Sequence, residues 1–141
     1  MTDPRILLQT AYFALLNGNL SYNSVNVPVY DRVPDNAVYP HVLIGQFTSV
    51  DDSDKSSFGE NLTVSIHVVD RFKNSAASRK SIFDISGQVK QIIRARPVPI
   101  NIAGYHVGTS YVDNENTNEE ITDTYLYLYN NIRFRHLINH T

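Results

Sequence analysis

The sequence lacks cysteine and tryptophan among its 141 residues, and charged side chains are few. The absence of cysteine excludes a disulfide framework, a zinc site built on thiolates and a cysteine nucleophile. Charged residues make up 18% of the chain, against an average of about 25% for soluble domains. Low charge together with nine tyrosines favours a surface covered by other proteins, because interfaces are poor in charge and rich in tyrosine.

The chain also lacks an excess of positive charge and long apolar runs. Its formal net charge is −2, so no overall basic field is present to hold DNA or RNA. No apolar run approaches the roughly 18 residues that a membrane span requires. Met1 is followed by no basic segment and no apolar run with a cleavage site, which is unlike a secretion signal. We therefore expect one cytosolic domain, residues 1–141, with no membrane partner.

Two segments have the pattern of amphipathic helices. In the first, Asp3 suits the N-cap, Pro4 the first helical position and Gly18 the position just after the helix. The second helix is predicted over residues 74–95, because apolar side chains recur there at three- and four-residue spacing. These side chains are Ile82, Ile85, Val89 and Ile92.

The segments between the helices predict antiparallel strands. Residues 62–68 alternate apolar and polar side chains and are expected to pair with residues 41–47 in a hairpin. Residues 27–30 predict a short edge strand, since Pro28 cannot donate a ladder hydrogen bond. The predicted fold class is therefore α+β, a single domain with an antiparallel β-sheet and two α-helices packed on one face.

The last part of the chain predicts a weak strand over residues 100–111, a polar acidic loop over residues 113–120 and a long strand over residues 121–137. On the long strand the two faces differ. Leu126, Leu128, Ile132 and Phe134 fall on one face. The other face carries Tyr125, Tyr127, Tyr129, Asn131, Arg133 and Arg135. We interpret this second face as a protein interface, or as the packed face of a sandwiched sheet. Stacking of RNA bases is the alternative, and the net acidity argues against it.

No group of residues has the spacing of a catalytic, cofactor-binding or metal site. The five histidines show no metal-ligand spacing, and no serine has the glycine pattern of a nucleophile elbow. Two acidic loops remain as candidate contacts with neighbours. The hairpin tip contributes Asp51, Asp52, Asp54, Lys55 and Phe58, and the loop over residues 113–120 contributes Glu115, Glu119 and Glu120.

Four segments form a series in order along the chain. A short N-terminal helix ends at a glycine turn. Residues 29–34, Val-Tyr-Asp-Arg-Val-Pro, are followed by residues 39–45, Tyr-Pro-His-Val-Leu-Ile-Gly. A strand over residues 62–71 leads into an amphipathic helix, and residues 129–135 form a closing strand segment that ends in Arg-Phe-Arg. This series resembles the tail-completion (tail terminator) proteins of tailed bacteriophages and prophages. Val69 stands where that family often carries tryptophan.

The resemblance implies a structural virion protein and no enzyme. Such proteins form a ring, usually hexameric, that caps the head-proximal end of the tail tube, stops its polymerisation and joins the tail to the head connector. The implied partners are copies of itself, the tube protein and a head-completion protein, and DNA passes through the lumen without being read. The implied location is the virion tail, after assembly in the host cytoplasm.

Three alternatives stay open from the sequence. A head-completion subunit has the same general character, a binding module could use the face of Tyr125, Tyr127 and Tyr129, and an enzyme could assemble its site from scattered residues. The acidic loops are expected to face neighbours or the lumen, where carboxylates would repel passing DNA. On this hypothesis, neutralising Asp51, Asp52 and Asp54 leaves assembly intact but slows DNA ejection.

Overall fold

A computed structural model describes residues 3–51, 59–73, 77–96 and 99–140. Two helices and seven strands follow one another in this part of the chain. They are α1 (Pro4–Leu16), β1 (Ser21–Tyr22), β2 (Val25–Asn26), β3 (Val29–Tyr30), β4 (His41–Asp51), β5 (Gly59–Phe72), α2 (Lys80–Ile93), β6 (Tyr105–Ile121) and β7 (Leu126–His140).

Helix α1 begins and ends as its sequence predicts. The carboxylate of Asp3 accepts a hydrogen bond from the backbone N–H of Arg5 at 2.9 Å, which satisfies a donor that the first turn leaves unpaired. Gly18 has a φ of 82° just beyond the helix, a conformation that a side chain would disfavour. The helix buries Leu8, Tyr12 and Leu16.

Five strands form one sheet in the order β3-β4-β5-β7-β6. β3 is parallel to β4, and every other neighbouring pair in this sheet is antiparallel. β3 is a short edge strand, as Pro28 predicts. β4 and β5 form the expected hairpin, and both continue well beyond the predicted residues. The polar segment after α1 contains the small β1–β2 hairpin.

Helix α2 begins at Lys80, so its predicted start near residue 74 is wrong. β5 continues to Phe72, and the first turn of the helix is tied to the end of that strand by a hydrogen bond from Ser81 to the carboxylate of Asp70. This contact joins residues of different elements, and helical periodicity does not report it. The predicted apolar face is buried through Ile82, Ile85 and Val89.

The predicted acidic loop over residues 113–120 is wrong, because these residues belong to β6. They pair with β7 from Arg133 to Tyr127. The chain turns at residues 122–125, where the backbone N–H of Thr122 donates to the carbonyl of Tyr125 at 2.9 Å. Polar side chains suit this strand because it lies at the sheet edge, where pairing overrides weak local propensity.

Both helices pack against the same face of the sheet, and the α+β prediction is confirmed. The core between them contains side chains that are 0% exposed, among them Tyr12 of α1, Ile85 of α2 and Phe134 of β7. The opposite face, here called the outer face, has no helix over it in the part of the chain described. No helix among these residues is long and apolar enough to cross a membrane.

Candidate functional site

The outer face carries a group of aromatic rings at the end where β4 and β7 begin, and we call Tyr39, Tyr125, Tyr127 and Tyr129 the tyrosine cluster. The ring centroids of Tyr125 and Tyr127 lie 6.1 Å apart, and those of Tyr127 and Tyr129 lie 6.5 Å apart in a stacked arrangement. Tyr39, which precedes β4, joins them with its ring centroid 6.0 Å from that of Tyr127. Alternation along β7 predicted three of these rings on one face, but not the fourth.

Arg71 of β5 holds the tyrosine cluster together. Its guanidinium carbon lies 4.4 Å from the ring centroid of Tyr39 and 4.2 Å from that of Tyr125. A guanidinium over an aromatic face is attracted by the negative charge of the ring face. The cluster covers Val69, which is only 6% exposed although it lies on the outer face. Arg71 is not among the predicted face residues, although its alternation with His67 and Val69 places all three on one face.

Burial raises the pKa of Tyr129 to about 12, and the carboxylate of Glu120 adds to the increase. The phenol of Tyr129 donates a hydrogen bond to that carboxylate at 3.2 Å. Burial also raises the pKa of Tyr39. Tyr39 and Tyr129 therefore present neutral phenols at physiological pH, which suits an amphipathic contact surface.

A chain of polar side chains crosses the middle of the outer face from β5 to β6. The amide of Asn131 donates to the side-chain oxygens of Asn116 at 2.9 Å and Asn118 at 2.6 Å. Its oxygen is 2.6 Å from Nδ1 of His67, so Nδ1–H is the donor to this oxygen. The ring of His67 lies over Gly45, where an added Cβ would be 2.6 Å from Nε2. We call these side chains the polar ladder.

Arg133 and Arg135 lie beyond the polar ladder and share one carboxylate. Nε of Arg133 is 2.8 Å from Oδ2 of Asp113, and Nε of Arg135 is 3.2 Å from Oδ1. The hydrogen bond from Arg135 is the main cause that lowers the pKa of Asp113. Arg135 also donates to the amide oxygen of Asn61 at 3.1 Å. The structure thus brings the predicted face residues together on one surface and adds Asp113 to them.

The predicted acidic residues are separated by the fold. Glu115 receives hydrogen bonds from Lys90 at 3.0 Å and from Asn130 at 2.8 Å. Burial raises the pKa of Glu115, but these bonds outweigh it, so that the pKa is lowered. Glu119 lies 3.6 Å from Arg79. These carboxylates belong to a strand and have partners in their own chain, whereas the prediction placed them in a solvent loop.

The hairpin tip is described only at its two ends. Asp51 is exposed at the end of β4. The other predicted tip residues, Asp52, Asp54, Lys55 and Phe58, lie outside the described residues.

The outer face has the composition of a surface that contacts other proteins. Its two arginines share a carboxylate, and the tyrosine rings pack on one another and on Arg71. Half-buried tyrosine and arginine side chains are typical of protein interfaces. Among the described residues, no group of three or more histidine and carboxylate side chains is placed to hold a metal ion.

Comparisons with known proteins give one family match and one likeness of fold. A family model described as "Tail completion protein gp17" matches residues 11–128. No curated protein sequence matches the chain. Among solved structures, a chain of the virion of a native gene transfer agent particle matches with a TM-score of 0.66 and 16% identity. The match covers 96% of this chain and 90% of that chain. At this identity the likeness concerns the fold alone.

Proposed function

The chain belongs to the family of tail completion protein gp17, and from this membership we propose that it forms a ring at the head-proximal end of a phage tail tube. It is a structural tail protein of a phage-like virion. In the proposed position, the ring ends polymerisation of the tube and joins the tail to the head connector. The observation that carries the proposal is the family match, which spans most of the chain.

The outer face supports an assembly role. It is a sheet face with no helix of its own chain over it, and it presents the tyrosine cluster beside the paired Arg133 and Arg135. Contact with another tail or head protein would cover such a surface, since large amphipathic faces mark contacts with other proteins. The proposed partners are further copies of the chain, the tube protein and a head-completion protein. DNA passes through the lumen without specific recognition.

A binding module that stacks bases on the tyrosine cluster is the weaker candidate. Base stacking needs aromatic faces open to the ligand. Arg71 lies over the faces of Tyr39 and Tyr125, and Tyr127 and Tyr129 stack on each other. These contacts occupy one face of each ring, so fewer aromatic faces are open to a base. The geometry therefore favours the assembly role.

The proposed function is tested by removing the chain from particle assembly. Without a terminator, tubes should grow past their normal length and fail to join heads, and electron microscopy measures both effects. Supplying the wild-type chain in trans should restore normal tails. If the tubes have normal length but stay separate from heads, the chain joins tails to heads and the proposal that it ends tube polymerisation is rejected. Normal, joined tails would reject both roles.

A further inference from the structure

The sheet has two different edges, one at β6 and one at the β3–β4 side. β3 pairs with β4 only at Val42 and Leu43. From Ile44 to Val50, no strand among the described residues pairs with β4 on the side away from β5. On the other side of the sheet, β7 is the one strand of the described part of the chain that pairs with β6. An edge strand presents a row of N–H and C=O groups that a further strand can pair with.

Irregular pairing divides each edge into regular stretches. In β4 the register shifts between Ile44 and Phe47 and is regular from there to Asp51, and residues 47–50 of this stretch carry no charge. In β6 the register shifts between Val107 and Thr109 and again between Val112 and Asn114, which leaves residues 109–112, without charge, and residues 114–121, with three glutamates. Bulges interrupt strand pairing and charged side chains discourage it at an edge, so residues 47–50 and 109–112 are the two regular stretches that best suit a further strand. The carbonyl of Ser110 accepts a hydrogen bond from Arg96 at 3.2 Å, which such a strand would displace.

The two regular stretches lie at the same height in the sheet. Thr48 is paired with Thr63, Thr63 with Arg135 and Arg135 with Tyr111. The neighbouring residues follow the same register. Residue 47 is therefore level with residue 112, and residue 50 is level with residue 109. A copy placed beside another without a shift along the strands would therefore bring the two regular stretches opposite each other.

The strand directions also match. β4 is antiparallel to β5, β5 to β7 and β7 to β6, so β6 runs opposite to β4. Placing copies side by side in the same orientation keeps this relation, and the new contact is an antiparallel pair like those within the sheet. Two different edges in contact make a head-to-tail interface, which generates a ring when the rotation closes.

The side chains of the two stretches are compatible with this pairing. Neither residues 47–50 nor residues 109–112 include a charged residue. Val50 is 61% exposed and Tyr111 is 47% exposed, and both lie on the outer face, one at each edge. They would be diagonal neighbours across the contact, within reach of an aromatic side chain.

From these observations, and resting on the proposed ring, we propose that residues 47–50 of one copy pair antiparallel with residues 109–112 of the next. The occupant of each edge is thus a second copy of this chain. The contact makes the sheets of successive copies continuous around the ring.

The test uses the absence of cysteine from the natural sequence. A double variant, Thr48→Cys with Tyr111→Cys, places one thiol at each edge. Within one copy the two positions are three strand spacings apart, roughly 14 Å, which is too far for a disulfide. Every disulfide formed on oxidation therefore joins two copies. The matched control keeps Tyr111→Cys but moves the other thiol from Thr48 to an exposed position on α1, as Thr10→Cys.

The double variant is oxidised both as free protein and in assembled tails, and the products are separated under denaturing, non-reducing conditions. Pairing of the edges predicts a ladder from dimer up to the full ring. Each single variant should stay monomeric, and a mixture of the two should stop at dimer. The control pair should give no ladder, and reduction should return every sample to monomer.

Two results overturn the edge pairing and separate it from the proposed function. In the first result, tails carry the variant at their head-proximal end, oxidation gives no ladder, and the thiols still react with a soluble reagent. The edge pairing is then wrong, whereas the proposed position in the tail is supported. If the single variants form dimers alone, like edges meet and the pairing is also wrong. If the chain is absent from tails and the free protein gives no ladder, both proposals fail.

Discussion

At the scale of single residues, the polar groups buried beneath the helices are satisfied within the chain. Asn130 is 1% exposed, and its amide donates to Ser86 at 2.7 Å and to Glu115 at 2.8 Å. His136 is 0% exposed and contacts Tyr12 through Nε2 and Ser110 through Nδ1. Leaving such a group without its partner costs about 1–3 kcal/mol, so these contacts fix how the helices sit on the sheet.

His136 makes the stability depend on pH. Burial lowers its pKa from 6.5 to about 4. His136 therefore takes up a proton at a higher pH in the unfolded chain than in the folded chain. Its contribution to the free energy of unfolding is present in full above pH 6.5 and is lost as the pH falls towards 4. At about 1.4 kcal/mol per pKa unit, the expected loss is about 3 kcal/mol. Urea unfolding measured at several pH values checks it.

The variant His136→Gln is the control for this pH dependence. Glutamine keeps hydrogen-bonding atoms in place of the ring but does not titrate, so its unfolding free energy should change less between pH 6.5 and 4. His41 contributes in the same direction, because burial lowers its pKa as well. Equal slopes for the wild type and His136→Gln would contradict the assignment to His136.

The contact of Arg71 with Tyr125 is a second prediction at this scale. Replacing Tyr125 by leucine removes the ring face, and we expect the free energy of unfolding to fall by about 1 kcal/mol. Tyr125→Phe keeps the ring and should change it little. Urea unfolding of both variants, with and without Arg71→Met, gives the coupling energy. A coupling near zero would show that the guanidinium and the ring do not stabilise each other.

At the scale of elements, two glycines show opposite packing. Gly45 of β4 lies under His67, and a Cβ there would be 2.6 Å from Nε2 of the ring and 3.2 Å from the backbone oxygen of Ser65. Gly87 of α2 has no atom within 4 Å of an added Cβ. Position 45 of β4 therefore requires glycine so that His67 of the polar ladder can lie over it. Position 87 of α2 has room for a side chain.

Alanine at the two positions should act in opposite directions. Gly87→Ala should stabilise the protein by up to about 1 kcal/mol, because alanine favours the helix and restricts the unfolded chain. Gly45→Ala should destabilise it by about 1–3 kcal/mol, the usual cost of overpacking. Thermal unfolding of both variants measures this. The cost of Gly45→Ala should shrink in a His67→Ala background, and an unchanged cost there would contradict the contact.

At the scale of the whole molecule, the helices cover one face of the sheet and leave two edges and the outer face for other chains. Val50 at the β4 edge is 61% exposed, and Val25 in the β1–β2 hairpin is 63% exposed. The two valines are thus equally open to solvent, but only Val50 lies at the proposed contact between copies. They provide a matched pair for testing assembly separately from folding.

Lysine at these two positions should separate assembly from stability. Both Val50→Lys and Val25→Lys should change the free energy of unfolding by no more than about 0.5 kcal/mol, as surface substitutions usually do. Only Val50→Lys should lower incorporation of the chain into tails, because it places a charge in the strand contact. Quantitative blotting of purified tails measures incorporation. Equal incorporation of the two variants would contradict a contact at the β4 edge.

The sequence alone determined those features that depend on neighbouring residues. The cap at Asp3, the glycine turn at Gly18 and the buried side of α2 follow from short spacings, since caps and helical faces involve residues a few positions apart. Alternation along β7 likewise placed the tyrosines and arginines on one face. The series of segments also identified the family, which residues 11–128 match. The assignment of particular residues to interfaces stays a prediction.

Only the tertiary structure decided which distant segments pair. The polar stretch over residues 113–120 carries no apolar alternation and becomes a strand because β7 lies beside it. Tyr39 meets Arg71 because β4 and β5 are neighbours, and the level match between residues 47–50 and 109–112 exists only once four strands are in register. Contacts between residues far apart in the chain leave no periodic pattern in the sequence, and their partners are chosen by packing and backbone hydrogen bonding across the sheet.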